Sequence, residues 1–286
     1  METVTFLGAG LIGSGMVRSA RERGLEVVVW NRTREKTEAL VAVGARAAST
    51  IAEAVKGATR VHVVMTDDAA VDAVLGDAVP ALSPGAIVID HSTTSPKGTI
   101  ERFARAGREG WSLLHAPVFM SPAMAAAAKG MVLCSGPEAT FERARAALTA
   151  MSADVFYLGA RPDLAAAYKL FGNAMILTIV GGLADVFAMA KGLDVAPEIA
   201  HQIFARFKPA GTIEARGAKM AVGDYTPSFE LAMARKDLRL MIEAAGANEL
   251  AVLPGLAARM DHLIAAGEGA ADVAVLSRDA VPPRAR

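Results

Sequence analysis

The sequence predicts an α/β fold, with a doubly wound and mainly parallel sheet followed by an all-helical C-terminal domain. Three observations carry this prediction. The first half alternates short apolar runs with helical stretches of about 8 to 15 residues, the spacing of right-handed βαβ units. The chain opens with an apolar run that turns through three glycines into a helix. Beyond Gly159-Ala160-Arg161-Pro162 the strand pattern stops and only helical periodicity continues. The expected boundary therefore separates residues 1–159 from residues 160–286.

With 286 residues, the chain is long enough for two such domains and a substantial core. Hydrophobic residues make up 53% and charged residues 21%, a globular rather than a disordered composition. Thirty basic and thirty acidic residues cancel, so charge gives no reason to expect nucleic acid or an anionic membrane as partner. The single cysteine, Cys134, excludes an intrachain disulfide and suits a reducing compartment. In the apolar run Met131–Cys134 it is expected as a buried small hydrophobe rather than a catalytic thiol. The N-terminus enters a strand at once, without a signal peptide. The longest uncharged apolar run, residues 170–184, is short for a bilayer and reads as a buried helix. A cytoplasmic protein is expected.

Residues 4–7 form the first strand, Gly8-Ala9-Gly10-Leu11-Ile12-Gly13 the turn, and residues 14–23 the first helix. In a G-x-G-x-x-G turn the glycines allow a tight turn, backbone approach to a pyrophosphate and close helix–strand packing. The free N–H groups and positive dipole end of the helix then hold phosphate. This Rossmann-type arrangement makes Gly8, Ala9, Gly10, Leu11, Ile12 and Gly13 candidate cofactor contacts.

The second strand, Glu26–Trp30, ends at Asn31-Arg32-Thr33. A carboxylate at this point accepts the ribose 2′-hydroxyl of NAD and repels a 2′-phosphate. Here Asn31 is neutral, Arg32 can pair with phosphate and Thr33 adds a hydroxyl, which predicts NADP (NADPH). Further strands are expected at 45–47, 60–65, 86–89, Ser112–His115, Met131–Cys134 and 154–158. Helices are expected at 36–43, 50–56, 69–75, 96–106 and 137–150. Ligands of such a sheet sit outside the carboxyl ends of its strands. Met65 and Thr66 lie at one such end and are counted as cofactor contacts. Asp90-His91-Ser92-Thr93-Thr94-Ser95-Pro96 lies at the next. Its hydroxyls serve either to bind the substrate or nicotinamide end, or to cap the following helix, where Pro96 suits the first turn.

The helical half is expected at 163–190, 196–206, 212–221, 228–245 and 250–266, with a frayed tail from Ser277. Lys169 and Asn173, spaced i and i+4, share one face of its first helix. That lysine is either a snorkelling surface residue or, near the crevice, a desolvated group whose lowered pKa suits proton transfer. Lys236-Asp237 is either a solvated cluster or a second charge reaching the crevice. His91 and His115, at strand ends, are alternative general bases. No His/Asp/Glu group has metal-ligand spacing, and no G-x-S-x-G elbow occurs.

Together these motifs resemble the β-hydroxyacid dehydrogenase family, which includes 3-hydroxyisobutyrate dehydrogenase, tartronate semialdehyde reductase and the glyoxylate/succinic semialdehyde reductases. The likeness spans nearly the whole chain. It implies cofactor contacts from the glycine turn and Asn31-Arg32-Thr33, and a D-x-S-T-x-x-P substrate segment in which Ser92 and Thr93 bind substrate, Thr93 also meeting cofactor. It implies a K-x-x-x-N pair, with Lys169 as acid/base and Asn173 orienting substrate. Phe229 and Lys236-Asp237 match a cofactor-proximal F-x6-K-D segment. One segment departs from the family. After Ala116-Pro117-Val118, members usually carry Ser-Gly-Gly, whereas this chain has Phe119-Met120-Ser121, and His115 stands where an acidic residue is common. Phe119, Met120 and Ser121 are therefore candidate substrate contacts that reshape the anion pocket. The expected activity is hydride transfer between NADP(H) and a small hydroxyacid or aldehyde acid. The alternatives are an imine reductase, against which Lys169 argues, and an NADPH-binding protein without turnover. The apolar helix from residue 163 predicts a homodimer or homotetramer.

Overall fold

The computed structural model describes residues 2–283. Six parallel strands form the main sheet: β1 (Thr3–Leu7), β2 (Glu26–Trp30), β3 (Arg46–Ala47), β4 (Arg60–Val63), β5 (Ile87–Asp90) and β6 (Ser112–His115), in the order β3-β2-β1-β4-β5-β6. They are connected by α1 (Leu11–Glu22), α2 (Glu35–Val41), α3 (Ile51–Val55), α4 (Asp68–Ala78) and α5 (Pro96–Glu109). The strand order reverses beside β1, where β1 pairs with β2 on one side and β4 on the other. That is the switch point at which doubly wound sheets open a crevice.

Burial on both faces explains why these strands read as apolar runs. Val4, Phe6, Val27, Val29, Ile87 and Ile89 belong to one core. Leu7, Val28, Val61, Val63 and Val88 belong to the other. The alternation of side chains along each strand divides them. Local chemistry sets the helix starts. Thr50 accepts from the Glu53 N–H, Asp67 from that of Ala70, and Ser95 from that of Gly98 with Pro96 in the first turn.

After β6 the chain leaves this sheet. β7 (Val118–Phe119) runs antiparallel to β8 (Met131–Cys134), which runs parallel to β9 (Asp154–Tyr157). The helices α6 (Pro122–Ala126) and α7 (Glu138–Met151) accompany this second sheet. Neither β7 nor α6 was expected, because two strand residues show no alternation and a five-residue alanine-rich helix shows no periodicity. Ser121 caps α6 by accepting the Met124 N–H, with Pro122 following. α6 packs close to α1, where a Cβ on Gly15 would meet Pro122 O at 2.7 Å and Ala125 Cβ at 2.8 Å.

The chain divides into two compact units, Met1–Asn173 and Ala174–Arg286. The division falls inside α8 (Leu164–Gly192) and not at the Gly159 break, because the first turns of α8 belong to the first unit. Ser135 Oγ ties them to β8 by donating to Pro162 O at 2.9 Å and accepting from the Ala165 N–H at 3.4 Å. α8 also corrects the expectation of a buried helix. It has 29 residues, within which an 18-residue stretch has a mean hydropathy of 1.7, long and apolar enough by length and composition to cross a membrane. Its apolar side chains are mostly exposed, Leu177 by 70%.

In the second unit follow α9 (Pro197–His201), α10 (Gly211–Ala221), α11 (Leu231–Ala245) and α12 (Leu253–Ala265). Leu231, Leu238, Met260, Leu263 and Val275 form its core. Two buried carboxylates organise it. Asp185, on α8, accepts the N–H groups of Ala251, Val252 and Leu253 and so caps α12. Asp272 accepts from the N–H groups of Ser228, Phe229 and Ala274 and the Ser228 hydroxyl, and pairs with Arg216 at 3.0 Å. The tail expected to fray from Ser277 is held as far as Val281, whose carbonyl accepts from the Tyr225 hydroxyl. Its last three residues, 284–286, lie outside the described residues.

Burial opposes ionisation of Asp272, but these donors hold its carboxyl far below the usual range. Asp272→Ala should cost about 3 kcal/mol, the scale for breaking a buried charged network. Urea unfolding should show that loss at neutral pH. Because the folded pKa is depressed, the contribution is present above the unfolded value of about 4 and disappears as pH falls toward the folded one. The variant should therefore lose less stability on acidification than the wild type.

Candidate active site

The glycine turn is shaped by close backbone approach. Gly8 has φ +113°, and a Cβ there would lie 2.2 Å from Val64 O. A Cβ on Gly13 would lie 2.3 Å from Gly8 O. At Gly10, by contrast, a Cβ would meet nothing within 4 Å. Gly10 is the N-cap of α1 and supplies no side-chain acceptor. The first N–H groups of a helix have no partner within it. Open space, bare backbone and unpaired donors together fit a dinucleotide pyrophosphate. Leu11 is 78% exposed beside this space.

Asn31 braces the turn, accepting from the Ala9 N–H at 2.9 Å while its amide donates to Thr33 O at 2.8 Å. Arg32 and Thr33 are exposed at the end of β2. Nothing in the sequence signalled that Asn31 would bond the glycine turn itself. Its residue type suggested only the missing carboxylate.

At the end of β4, the Met65 N–H donates to Ser92 Oγ at 2.9 Å, so this loop and the one after β5 are joined. Thr66 is exposed, and its hydroxyl donates to Asp67. Ser92 is buried, and its own N–H donates to Asp90 Oδ1 at 2.9 Å. Thr94 is paired with Thr99, and Ser95 caps α5, while Thr93 stays exposed. The capping reading of the loop holds at Ser95, whereas Ser92 and Thr93 border the strand ends. Sequence reasoning missed Arg102, which is buried on α5 and pairs with Asp68 at 2.7 Å and Asp72 at 3.1 Å. Asp68 also accepts the Ser95 N–H, so this ion pair fixes the loop. The only signal was Asp68 and Asp72 on one face of a helix, with their partner 30 residues away.

The ring nitrogens of His91 are both engaged within the core, against its reading as a general base. His91 Nδ1 lies 2.7 Å from Ala116 O, so that nitrogen carries the proton and Nε2 accepts from His62 Nδ1 at 2.9 Å. The three rings of Phe6, His62 and His91 stack through the core. Burial pushes the His91 pKa down to about 4, and burial with the charge of His91 pushes His62 well below its usual value. His115 is buried with Nδ1 3.4 Å from Asp90 Oδ2, an ion-pair separation rather than a formed hydrogen bond. Burial opposes ionisation of Asp90, yet His115 and Ser92 hold its carboxyl below the usual range.

Lys169 is buried, and burial lowers its pKa. Its Nζ lies over the Phe119 ring, 3.8 Å from the centroid. Asn173 follows one turn later and is half-buried. Phe119 and Met120 point to opposite sides, as neighbours in extended chain do. Met120 packs against the core near Met16, Ala125 and Met151 and is corrected from a substrate contact to a core residue. Ser121 is exposed, and its oxygen accepts the Met124 N–H to cap α6. Lys236, in the second unit, is half exposed and pairs with Asp237 at 2.8 Å. Cys134 is buried as expected, its thiol pushed up to about 12 by burial. No group of three metal-ligating side chains occurs among the described residues. A cavity of about 290 Å³, lined by Val4, Phe6, Arg23 and Arg60, lies toward the amino ends of the central strands, whereas the glycine turn follows the carboxyl end of β1.

Two substitutions separate structure from cofactor binding. Gly10→Val should leave thermal stability close to wild type and weaken NADPH binding at least tenfold. Gly8→Ala should destabilise the fold itself. Fluorescence titration and a melting curve on each variant check both outcomes.

The family described as the NAD binding domain of 6-phosphogluconate dehydrogenase matches residues 3–159. The uncharacterized oxidoreductase YfjR of Bacillus subtilis is 31% identical over 252 residues, covering 85% of this chain and 86% of that protein. The 3-sulfolactaldehyde reductase of Escherichia coli is 27% identical over 284 residues, covering 95% and 93%. Among solved structures, an imine reductase from Myxococcus stipitatus in complex with NADP+ has a TM-score of 0.89 at 23% identity, covering 96% of this chain and 99% of that one. At that identity the likeness is one of fold. A glycine turn built for a pyrophosphate, inside a matching sequence that fills more than half the chain, places this protein in the β-hydroxyacid dehydrogenase family, with a 6-phosphogluconate dehydrogenase-type NAD-binding domain, as a pyridine-nucleotide-dependent oxidoreductase.

Proposed function

We propose that the chain is an NADP(H)-dependent reductase of a small carbonyl compound, with Lys169 as the proton donor. The observation that carries this reading is a buried lysine whose pKa is lowered by burial. Asn173 stands one turn from it on α8. The bound dinucleotide supplies the hydride. Lys169 holds a proton at Nζ for the oxygen of the carbonyl being reduced, and takes it back in the reverse direction. Desolvation eases release of that proton at neutral pH. Asn173 orients the substrate oxygen, and Ser92 and Thr93 offer hydroxyls from the β5 end. Gly8 to Gly13 receive the pyrophosphate, and Met65, Thr66 and Thr93 border the cofactor.

Arg32 supports NADP over NAD, because an exposed guanidinium follows β2 where a carboxylate would repel the 2′-phosphate. The related 3-sulfolactaldehyde reductase and the glyoxylate/succinic semialdehyde reductase of Arabidopsis thaliana, 28% identical over 267 residues, favour an aldehyde as substrate. The apolar face of α8 supports a homo-oligomer.

Two variants divide this reading. Lys169→Ala should lower kcat at least a hundredfold with NADPH affinity within threefold, and undiminished turnover would refute the proton-donor role. Arg32→Ala should lower the preference for NADPH over NADH at least tenfold, read as a ratio of kcat/KM. Sedimentation at micromolar concentration should give a dimer or larger, and a monomer would refute the assembly.

A further inference from the structure

We propose that Phe119 makes this site selective for uncharged carbonyl substrates carrying an apolar or aromatic group, by covering Lys169 where a substrate carboxylate would pair with it. The inference rests on the reductase reading and names its substrate class.

The ring and the ammonium are in direct contact, with Nζ 3.8 Å from the centroid. A carboxylate oxygen paired with an ammonium needs about 2.8 Å. It cannot enter on the face the ring occupies. Among the described residues, no carboxylate lies within 4.0 Å of Lys169, so the ring's negative face is its partner. That partner is apolar and carries no net charge.

The ring is also held in place from both ends. A Cβ on Gly172, three residues along α8 from Lys169, would lie 2.3 Å from Phe119 Cζ and 2.9 Å from Cε1. The helix backbone therefore presses directly on the ring. At its backbone, Phe119 O would be 2.6 Å from a Cβ on Gly130, which has φ +101°. Phe119 also pairs with Met131 in the β7–β8 register. The backbone that carries the ring is thus fixed by a strand pairing.

The hydroxyls nearby in sequence do not supply a second positive charge. Ser121 and Ser92 accept backbone N–H groups and keep their O–H donors, each a neutral donor weaker toward an anion than an ammonium. Ser135 is committed to Pro162 and Ala165. What remains beside Lys169 is a partly exposed aromatic ring, which suits an apolar substituent next to a neutral carbonyl.

The test compares phenylacetaldehyde with succinic semialdehyde at saturating NADPH. Wild-type kcat/KM should favour phenylacetaldehyde at least tenfold. Phe119→Ser should reduce that ratio at least tenfold, chiefly through a lower KM for the acid, and Phe119→Tyr should keep the ratio within threefold. On the wild type alone, 2-phenylethanol should inhibit at least tenfold more tightly than 4-hydroxybutyrate, which tests the proposal even where the serine variant fails to fold. A wild-type preference for the acid, or a ratio unmoved in a folded Phe119→Ser that binds NADPH, would overturn the role of Phe119 and leave the reductase reading intact. Absence of NADPH oxidation with either aldehyde would overturn both.

Discussion

The structure depends on backbone packed against backbone at the turn from β1 to α1. Val64 O sits where a side chain on Gly8 would be, and Gly8 O sits where one on Gly13 would be. These contacts set the entry of α1, and with it the place where its free N–H groups face. A third contact, at Gly15, lets α6 lie close on the same helix. The glycine turn and the start of the second sheet are thus set by three bare positions, one in the turn and two on α1. The open side at Gly10 is the exception, and it is the side a ligand needs.

Around this turn, buried polar groups act as braces more than as reagents. Asn31 ties β2 to the glycine loop, Ser92 ties the β5 end to the β4 end, and Arg102 holds the loop between them. His62 and His91 spend their nitrogens on each other and on a carbonyl, which keeps both neutral. Lys169 differs from all of these because its partner is a ring rather than an acceptor. Among the described residues, its charge is not offset by a carboxylate.

Much of this was legible in the sequence. Glu26–Trp30, Ser112–His115 and Met131–Cys134 fall where apolar runs between turn residues put them. The glycine spacing located the turn with its open side at Gly10, and the i, i+4 spacing put Lys169 and Asn173 one turn apart on α8. What was not legible depends on distance along the chain. His91 reads as a candidate base until its nitrogens are seen to be bonded to His62 and Ala116. Met120 reads as a substrate contact until strand alternation turns it toward the core. β7 and α6 are too short for periodicity to register. The apolar run in α8 reads as buried, because composition cannot say whether neighbours within the same chain cover it.

Phe119 and Gly172 also constrain how this site could have diverged. The ring occupies the space a methyl group would take on α8, so neither position can change freely while the other stays as it is. Enlarging Gly172 first would drive a side chain into the ring. Shrinking Phe119 first leaves a gap that a later change at Gly172 could fill. The two routes between this pair and a small-residue pair are therefore unequal, and descent would run through the hole rather than the clash. A lineage leaving this pair would lose its ring before its helix lost its glycine, which gives the mutations an order.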